Sequence, residues 1–261
     1  MGTIPAIFVS HGMPAIVLAS NEPTHQFLRT LGASFEQPAA ILCVSAHWET
    51  VRPMVTGSAR PETIHDFGGP PSLFEKHYPV NGAPEMAEEV IRLLKQAGFD
   101  PGTDPTRGLD HGAWVPLLLM YPDAHIPVVQ LSIQTELDPN HHLALGRTLA
   151  PLRERGVLIM GSGGATHNLP EIDRYRIHSE PPDYALAFDR WLEESITNGR
   201  EDLLVAYQKE GPFASRNHPF PAEHFLPIFV PLGSATAGTR GRVLHRAFMY
   251  GVLSMAAYVW P

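Results

Sequence analysis

The chain has 261 residues, 44% of them hydrophobic and 18% charged, with a net charge of −8 when its 14 histidines are neutral. That length and apolar content predict one α/β domain over residues 1–261 with a substantial core, and with no Lys/Arg block there is no nucleic-acid footprint. Cys43 is the single cysteine, which excludes an intramolecular disulfide and a thiolate zinc cluster; with no apolar stretch near the ~20 residues of a membrane span and no signal-peptide pattern, the expected location is cytoplasmic.

Residues 4–9 are an unbroken apolar run that predicts a buried strand ending in Ser10-His11-Gly12. A second run, 40–44, holds Cys43 as a packed small hydrophobe and ends in Ser45-Ala46-His47-Trp48. The loop Ile64-His65-Asp66-Phe67-Gly68-Gly69-Pro70 pairs a histidine with a carboxylate. Asp66 there either opens a Gly/Pro turn or fixes a ligand imidazole from behind. Residues 84–97 predict a helix, with Pro84 at its start, Glu85, Glu88 and Glu89 early, Lys95 late and Gly98 as its stop. Asp110 caps an apolar helical stretch running to Leu119. His111 sits in the first turn of that helix, where a neutral imidazole would donate a hydrogen bond to substrate or oxygen. Residues 126–133 predict a strand and 141–153 a helix with Leu143, Leu149 and Leu152 inward. A strand over 157–160 leads through Gly161-Ser162-Gly163-Gly164 to His167. An amphipathic helix over 183–196, a shorter helix over 201–209 and a short strand over 229–232 complete the pattern. Strands alternating with helices predict an α/β fold with a mostly parallel or mixed sheet covered on both faces.

A histidine at the carboxyl end of a buried strand lies where α/β proteins collect ligands. His11 and His47 both occupy such positions, which points to a metal site built from imidazoles. Glu223 and His224 compete for the third place, since neighbours on a helix diverge by about 100° and one of them reaches the ion. His224 would complete a three-histidine site; Glu223 would give the two-histidine, one-carboxylate set of non-haem Fe(II) oxygenases. His167, beyond its glycine-rich turn, is the candidate general base, because imidazole titrates near neutral pH. No Lys-Ser/Thr follows those glycines, so they do not form a phosphate-binding loop. His65, Trp48 and Phe67 are candidates for binding substrate, and Arg174, Arg176 and Arg216 for pairing with a substrate carboxylate. The remaining histidines, among them His25, His142 and His218, are read as surface or packing residues.

Taken together, Ser10-His11-Gly12-Met13-Pro14, Ser45-Ala46-His47-Trp48, Thr63-Ile64-His65-Asp66-Phe67-Gly68-Gly69, Leu109-Asp110-His111-Gly112-Ala113-Trp114 and Glu223-His224-Phe225-Leu226-Pro227 resemble the DOPA-4,5-dioxygenase group. That group belongs to the class III (LigB-type) extradiol ring-cleavage dioxygenases, and the likeness runs in consistent order over nearly the whole chain. The resemblance implies a three-layer α/β/α domain with one divalent metal at the sheet's edge, bound by His11, His47 and His224. It gives His167 and His111 acid–base and substrate roles. The implied reaction inserts O2 into a catechol, a DOPA-like or related aromatic diol, in a monomer or small homo-oligomer. Fe(II) would serve the oxygen chemistry, while an all-histidine site also accepts Zn(II). Two other classes would use the same residues: a zinc-dependent hydrolase that activates water, and a non-catalytic Memo-like metal-binding or interaction protein.

Overall fold

The computed structural model describes residues 3–236 and 238–261. Its first half comprises β1 (Ala6–Ser10), α1 (Pro23–Leu31), β2 (Ala40–Glu49), β3 (Met54–Thr56), α2 (Pro71–Phe74), α3 (Pro84–Gln96), β4 (Gly102–Asp104) and α4 (His111–Met120). Then follow β5 (Val128–Ile133), α5 (Pro139–Leu149), α6 (Pro151–Glu154), β6 (Val157–Gly163), α7 (Asp183–Thr197), α8 (Glu201–Val205), α9 (Tyr207–Glu210) and α10 (Ala214–Asn217). The chain closes with α11 (Phe229–Ser234), β7 (Arg242–His245), β8 (Phe248–Met249), β9 (Leu253–Ser254) and β10 (Ala257–Trp260). No helix among the described residues is long and apolar enough to cross a membrane.

Eight strands form one mixed sheet in the order β4-β3-β5-β2-β6-β1-β10-β7, and β8 with β9 makes a separate pair. The four central strands β5, β2, β6 and β1 run parallel. Antiparallel partners, β3 on one side and β10 on the other, extend them. Alternate side chains of each central strand enter opposite layers, as the two-residue period of a strand requires. Ala6 and Phe8 of β1, Leu42 and Val44 of β2, and Ile159 of β6 pack with Leu143 and Leu149 of α5 and Phe229 of α11. Ile7, Val9, Ile41, Cys43, Leu158 and Met160 face the other layer, with Leu28 of α1 and Trp114 and Leu117 of α4. Coverage on both faces explains why these strands read as continuous apolar runs. Cys43 is buried in the second layer, and burial pushes its thiol well above its usual range, consistent with an inert packed side chain.

Three sequence expectations need correction. Residues 229–232 are helical in α11; a four-residue apolar run carries no period that separates strand from buried helix. This helix crosses α5 closely: a Cβ on Gly146 would lie 2.2 Å from the Val230 carbonyl oxygen, and one on Gly233 would lie 2.2 Å from that of Leu143. The helix expected over 141–153 divides into α5 and α6, with Pro151 opening the second piece. That expected over 201–209 divides at Ala206. The main consequence for function is placement. β1 and β2 flank β6, α1 lies on one face and α5 on the other, and the crevice over the carboxyl ends of these strands gathers the histidines.

Candidate metal centre

His11 follows β1 directly and is 2% exposed. Its backbone nitrogen donates to the Gly163 carbonyl at 3.0 Å, which continues the β1–β6 pairing by one residue. Gly12 then turns the chain with φ +63, and a Cβ there would lie 2.5 Å from Met255 Cε. His47 sits near the end of β2, where the pairing with β5 shifts register between Val44 and Glu49. His224 arrives on the segment that crosses the end of β6: Gly164 donates to its carbonyl at 2.8 Å, and a Cβ on Gly163 would meet that oxygen at 2.1 Å. His111 is the first residue of α4. His167 is held by its backbone nitrogen donating to the Asn217 carbonyl at 2.9 Å.

These five histidines line one cavity of about 610 Å³, counted to its open mouth. Nε2 of His11 and Nε2 of His47 are 3.1 Å apart. One nitrogen from each of His11, His47 and His224 lies within 4.8 Å of the other two. The ring of His167 stacks on His224 at 3.4 Å between centroids and 11° between planes, while the ring of His111 lies 3.8 Å from that of His47. Burial, reinforced by the neighbouring imidazoles, depresses protonation of His11, His47, His167 and His224. His11 and His224 fall well below the usual histidine range, His47 is lowered to about 4 and His167 to about 3. All four are neutral at pH 7, the state in which imidazole offers a lone pair to a metal.

The hydrogen bonds around the centre settle which nitrogens face it. Ser162 donates its only hydroxyl hydrogen to the Gly112 carbonyl and so accepts from His11 Nδ1 at 3.0 Å, leaving His11 Nε2 bare. His224 Nδ1 donates to Glu223 Oε1 at 2.8 Å, leaving its Nε2 bare as well. Glu223 therefore faces the back of the His224 ring, and the choice left open by the sequence favours three imidazoles over a carboxylate set. His11 Nε2 and His47 Nε2, 3.1 Å apart, have the separation that two donors ~2.1 Å from one ion reach. The donor set fits a divalent metal.

Asp110 is fully buried and does more than cap α4 through Ala113 N. It also accepts from Ser45 Oγ at 2.6 Å, Gln130 Nε2 at 2.6 Å and Arg107 Nη2 at 3.1 Å, which pins the start of α4 to β2 and β5. At Gly112 a Cβ would lie 2.3 Å from Ser45 Oγ and 3.0 Å from His47 Cδ2, so only glycine lets the helix approach His47 this closely. Asp66 accepts from His111 Nδ1 at 2.9 Å and from its backbone nitrogen at 3.1 Å. Burial works to raise its carboxyl, but the hydrogen bonds from His111 prevail and hold it at about 2. Ser162 and the wider contacts of Asp110 were missed by sequence reasoning, because a serine in a glycine-rich turn and an aspartate before a helix both have ordinary local explanations.

The three substrate-binding candidates are placed differently. Phe67 stands edge-on to His111 at 5.5 Å. His65 packs 5.7 Å from Trp114 and bonds the Lys76 carbonyl at 2.8 Å, and Trp48 is buried beneath Arg107, 5.2 Å from the ring centre. None of the three, Phe67, His65 or Trp48, is part of the cavity lining. Arg216 and Arg174 pair with Glu171.

The family model described as the catalytic LigB subunit of aromatic ring-opening dioxygenase matches residues 5–260. The chain belongs to the LigB family. Among its relatives are a 4,5-DOPA dioxygenase extradiol of Beta vulgaris, 42% identical over 96% of this chain and 94% of that one, and one of Escherichia coli K12, 39% identical over 88% and 85%. A crystal structure of an uncharacterized protein from Escherichia coli K12 superposes with a TM-score of 0.82 at 33% identity, covering 99% of this chain and all of the other. LigB-family membership makes the chain an extradiol ring-cleavage dioxygenase, an oxidoreductase whose family depends on a metal.

Proposed function

We propose that this LigB-family protein opens a catechol with O2 outside the two hydroxyls, at a divalent metal held by His11, His47 and His224. Fe(II) is the ion proposed for turnover. The observation that carries this reading is the convergence of neutral imidazoles, with the Nδ1 atoms of His11 and His224 tied outward to Ser162 and Glu223. A metal bound there supplies the meeting point of diol and dioxygen and the path for electron density between them.

The chain's own groups account for the rest. Met13, Pro14, Leu169, Leu253 and Met255 line the cavity and suit an aromatic ring excluded from bulk water. His167 is the proposed base: its half-buried ring makes no hydrogen bond to the described residues, so a nitrogen is free to take a hydroxyl proton and return it to the opening ring. His111 faces the same space with Nδ1 already committed to Asp66, which removes that nitrogen as a donor to oxygen.

The test is oxygen uptake by anaerobically Fe(II)-loaded protein across L-DOPA, protocatechuate and simple catechols, with absorbance followed for a yellow ring-opened product. Uptake matched to product supports the reading, and none with confirmed iron occupancy overturns it. Three imidazoles also suit zinc. Turnover by the zinc-loaded protein without oxygen consumption would mark a hydrolase instead.

A further inference from the structure

The loop carrying Asp66 is fastened to the start of α4 by backbone contacts. Thr63 and Leu109 form a parallel bridge, Ile64 N donates to the Leu109 carbonyl at 2.8 Å, and Leu109 N donates to the Glu62 carbonyl at 2.8 Å. Trp114 Nε1 donates to the Ile64 carbonyl at 2.9 Å, closing the loop onto α4 itself. Gly108 permits the approach, since a Cβ there would lie 2.2 Å from the Glu62 carbonyl oxygen. Asp66 is thus placed relative to His111 by the backbone and not by its side chain alone.

A carboxylate oxygen accepts and does not donate. Oδ1 of Asp66 takes both the backbone and the Nδ1 hydrogens of His111, so the neutral imidazole carries its proton on Nδ1. Nε2 is then the nitrogen left to serve the cavity that His111 lines, and it presents a lone pair. The other carboxylate oxygen lies 3.9 Å from His47 Nδ1, so one aspartate stands behind two of the cavity's imidazoles.

We infer that Asp66 is a positioning residue for ring cleavage: it locks His111 in the Nδ1–H form, so that Nε2 accepts a hydrogen bond from the substrate's hydroxyl. The kinetic consequence rests on the function proposed above, whereas the tautomer does not.

Two measurements test it. Long-range 1H–15N correlation of the histidine rings in zinc-loaded, diamagnetic protein reads the His111 tautomer, assigned by the signal lost in His111→Gln. The wild type is expected to show Nδ1–H. Asp66→Asn, whose amide oxygen still accepts, should retain that form, and Asp66→Ala should lose it. In Fe(II)-loaded protein, Asp66→Ala should lower kcat by the ~10–100-fold typical of losing a histidine's hydrogen-bond partner, with catechol KM and iron content within about threefold of wild type. Asp66→Asn should recover much of that loss. An Nε2–H signal in the wild type would overturn the inference, as would an Asp66→Ala protein with unchanged kcat. Should no catechol be turned over by the wild type, the proposed reaction fails, while the tautomer signal still decides whether Asp66 sets His111.

Discussion

Replacing Ser162 with alanine should loosen the metal centre from behind. The hydroxyl serves two buried partners at once, accepting from His11 Nδ1 and donating to the Gly112 carbonyl. Ser162 is fully buried and His11 only 2% exposed, so bulk water has no ready route to replace the lost atom. Each stranded group costs about 1–3 kcal/mol, giving a destabilisation of roughly 2–6 kcal/mol in the metal-free protein. His11, freed from its partner, also loses its preference for a bare Nε2, and zinc affinity should fall ~10–100-fold. The control is Ser10→Ala: Ser10 Oγ donates to the Ala256 carbonyl at 2.8 Å and accepts from Ala165 N at 3.0 Å, with no histidine among its hydrogen-bond partners. It should lose comparable stability in urea unfolding but keep its zinc affinity in a competitive titration. Equal zinc affinities for Ser162→Ala and wild type would refute the claim that Ser162 orients His11.

Glu223→Gln keeps the size of the side chain but weakens the charged acceptor behind His224 Nδ1, and should reduce zinc affinity by roughly tenfold; unchanged affinity would mean that Glu223 is not the group that holds this ring. Buried His142 gives a pH prediction away from the metal. Burial lowers it from 6.5 to about 4, so its stabilising effect is complete above pH 6.5, where it is neutral in both states, and is lost as pH falls towards 4 because only the unfolded chain takes up the proton. At ~1.4 kcal/mol per pH unit this amounts to about 3 kcal/mol. Urea unfolding of wild type and His142→Gln at pH 7 and pH 4.5 should show a smaller acid loss in the variant, and equal losses would refute the assignment. The cavity lining contains neither Lys nor Arg, and Arg216 and Arg174 are engaged with Glu171. Catechols bearing a neutral or ammonium side chain should therefore show a higher kcat/KM than protocatechuate in the oxygen-uptake assay; the reverse order would point to an unrecognised anion partner.

The central strands were legible because burial on both faces leaves no polar residue to interrupt residues 4–9, 40–44 or 157–160, and each histidine stood out against the apolar run before it. The carboxyl-terminal strands were not. β7 to β10 are two to four residues long, and β7 carries Arg242 and His245, so no alternation accumulates to mark them. Yet β10 is the direct neighbour of β1, and Met255 just before it closes the cavity against Gly12. Asp66 was legible as a possible partner of an imidazole, because a carboxylate adjoined a histidine in its loop. Which imidazole it met was not, since 45 residues separate it from His111 and they meet only through the tertiary contacts around the Thr63–Leu109 bridge.

The partners behind the rings explain why the centre needs so much of the fold. An imidazole has two nitrogens, and a metal site requires that each ligand ring present a bare one without rearrangement. Ser162 on β6 fixes His11 from the neighbouring strand, Glu223 fixes His224 from the adjacent residue, and Asp66 fixes His111 from a loop bridged to the start of α4. Ser162 bonds Gly112 and Ser45 bonds Asp110, so the start of α4 is fastened to β6 and β2, and the ring of His111 rests against that of His47. Displacing α4 would therefore disturb the partner of His11 and the neighbour of His47 together. The tolerance of the site for substitution should accordingly be lowest at Gly112, Ser45 and Ser162, which touch no substrate but set the distance between the helix and the two strands.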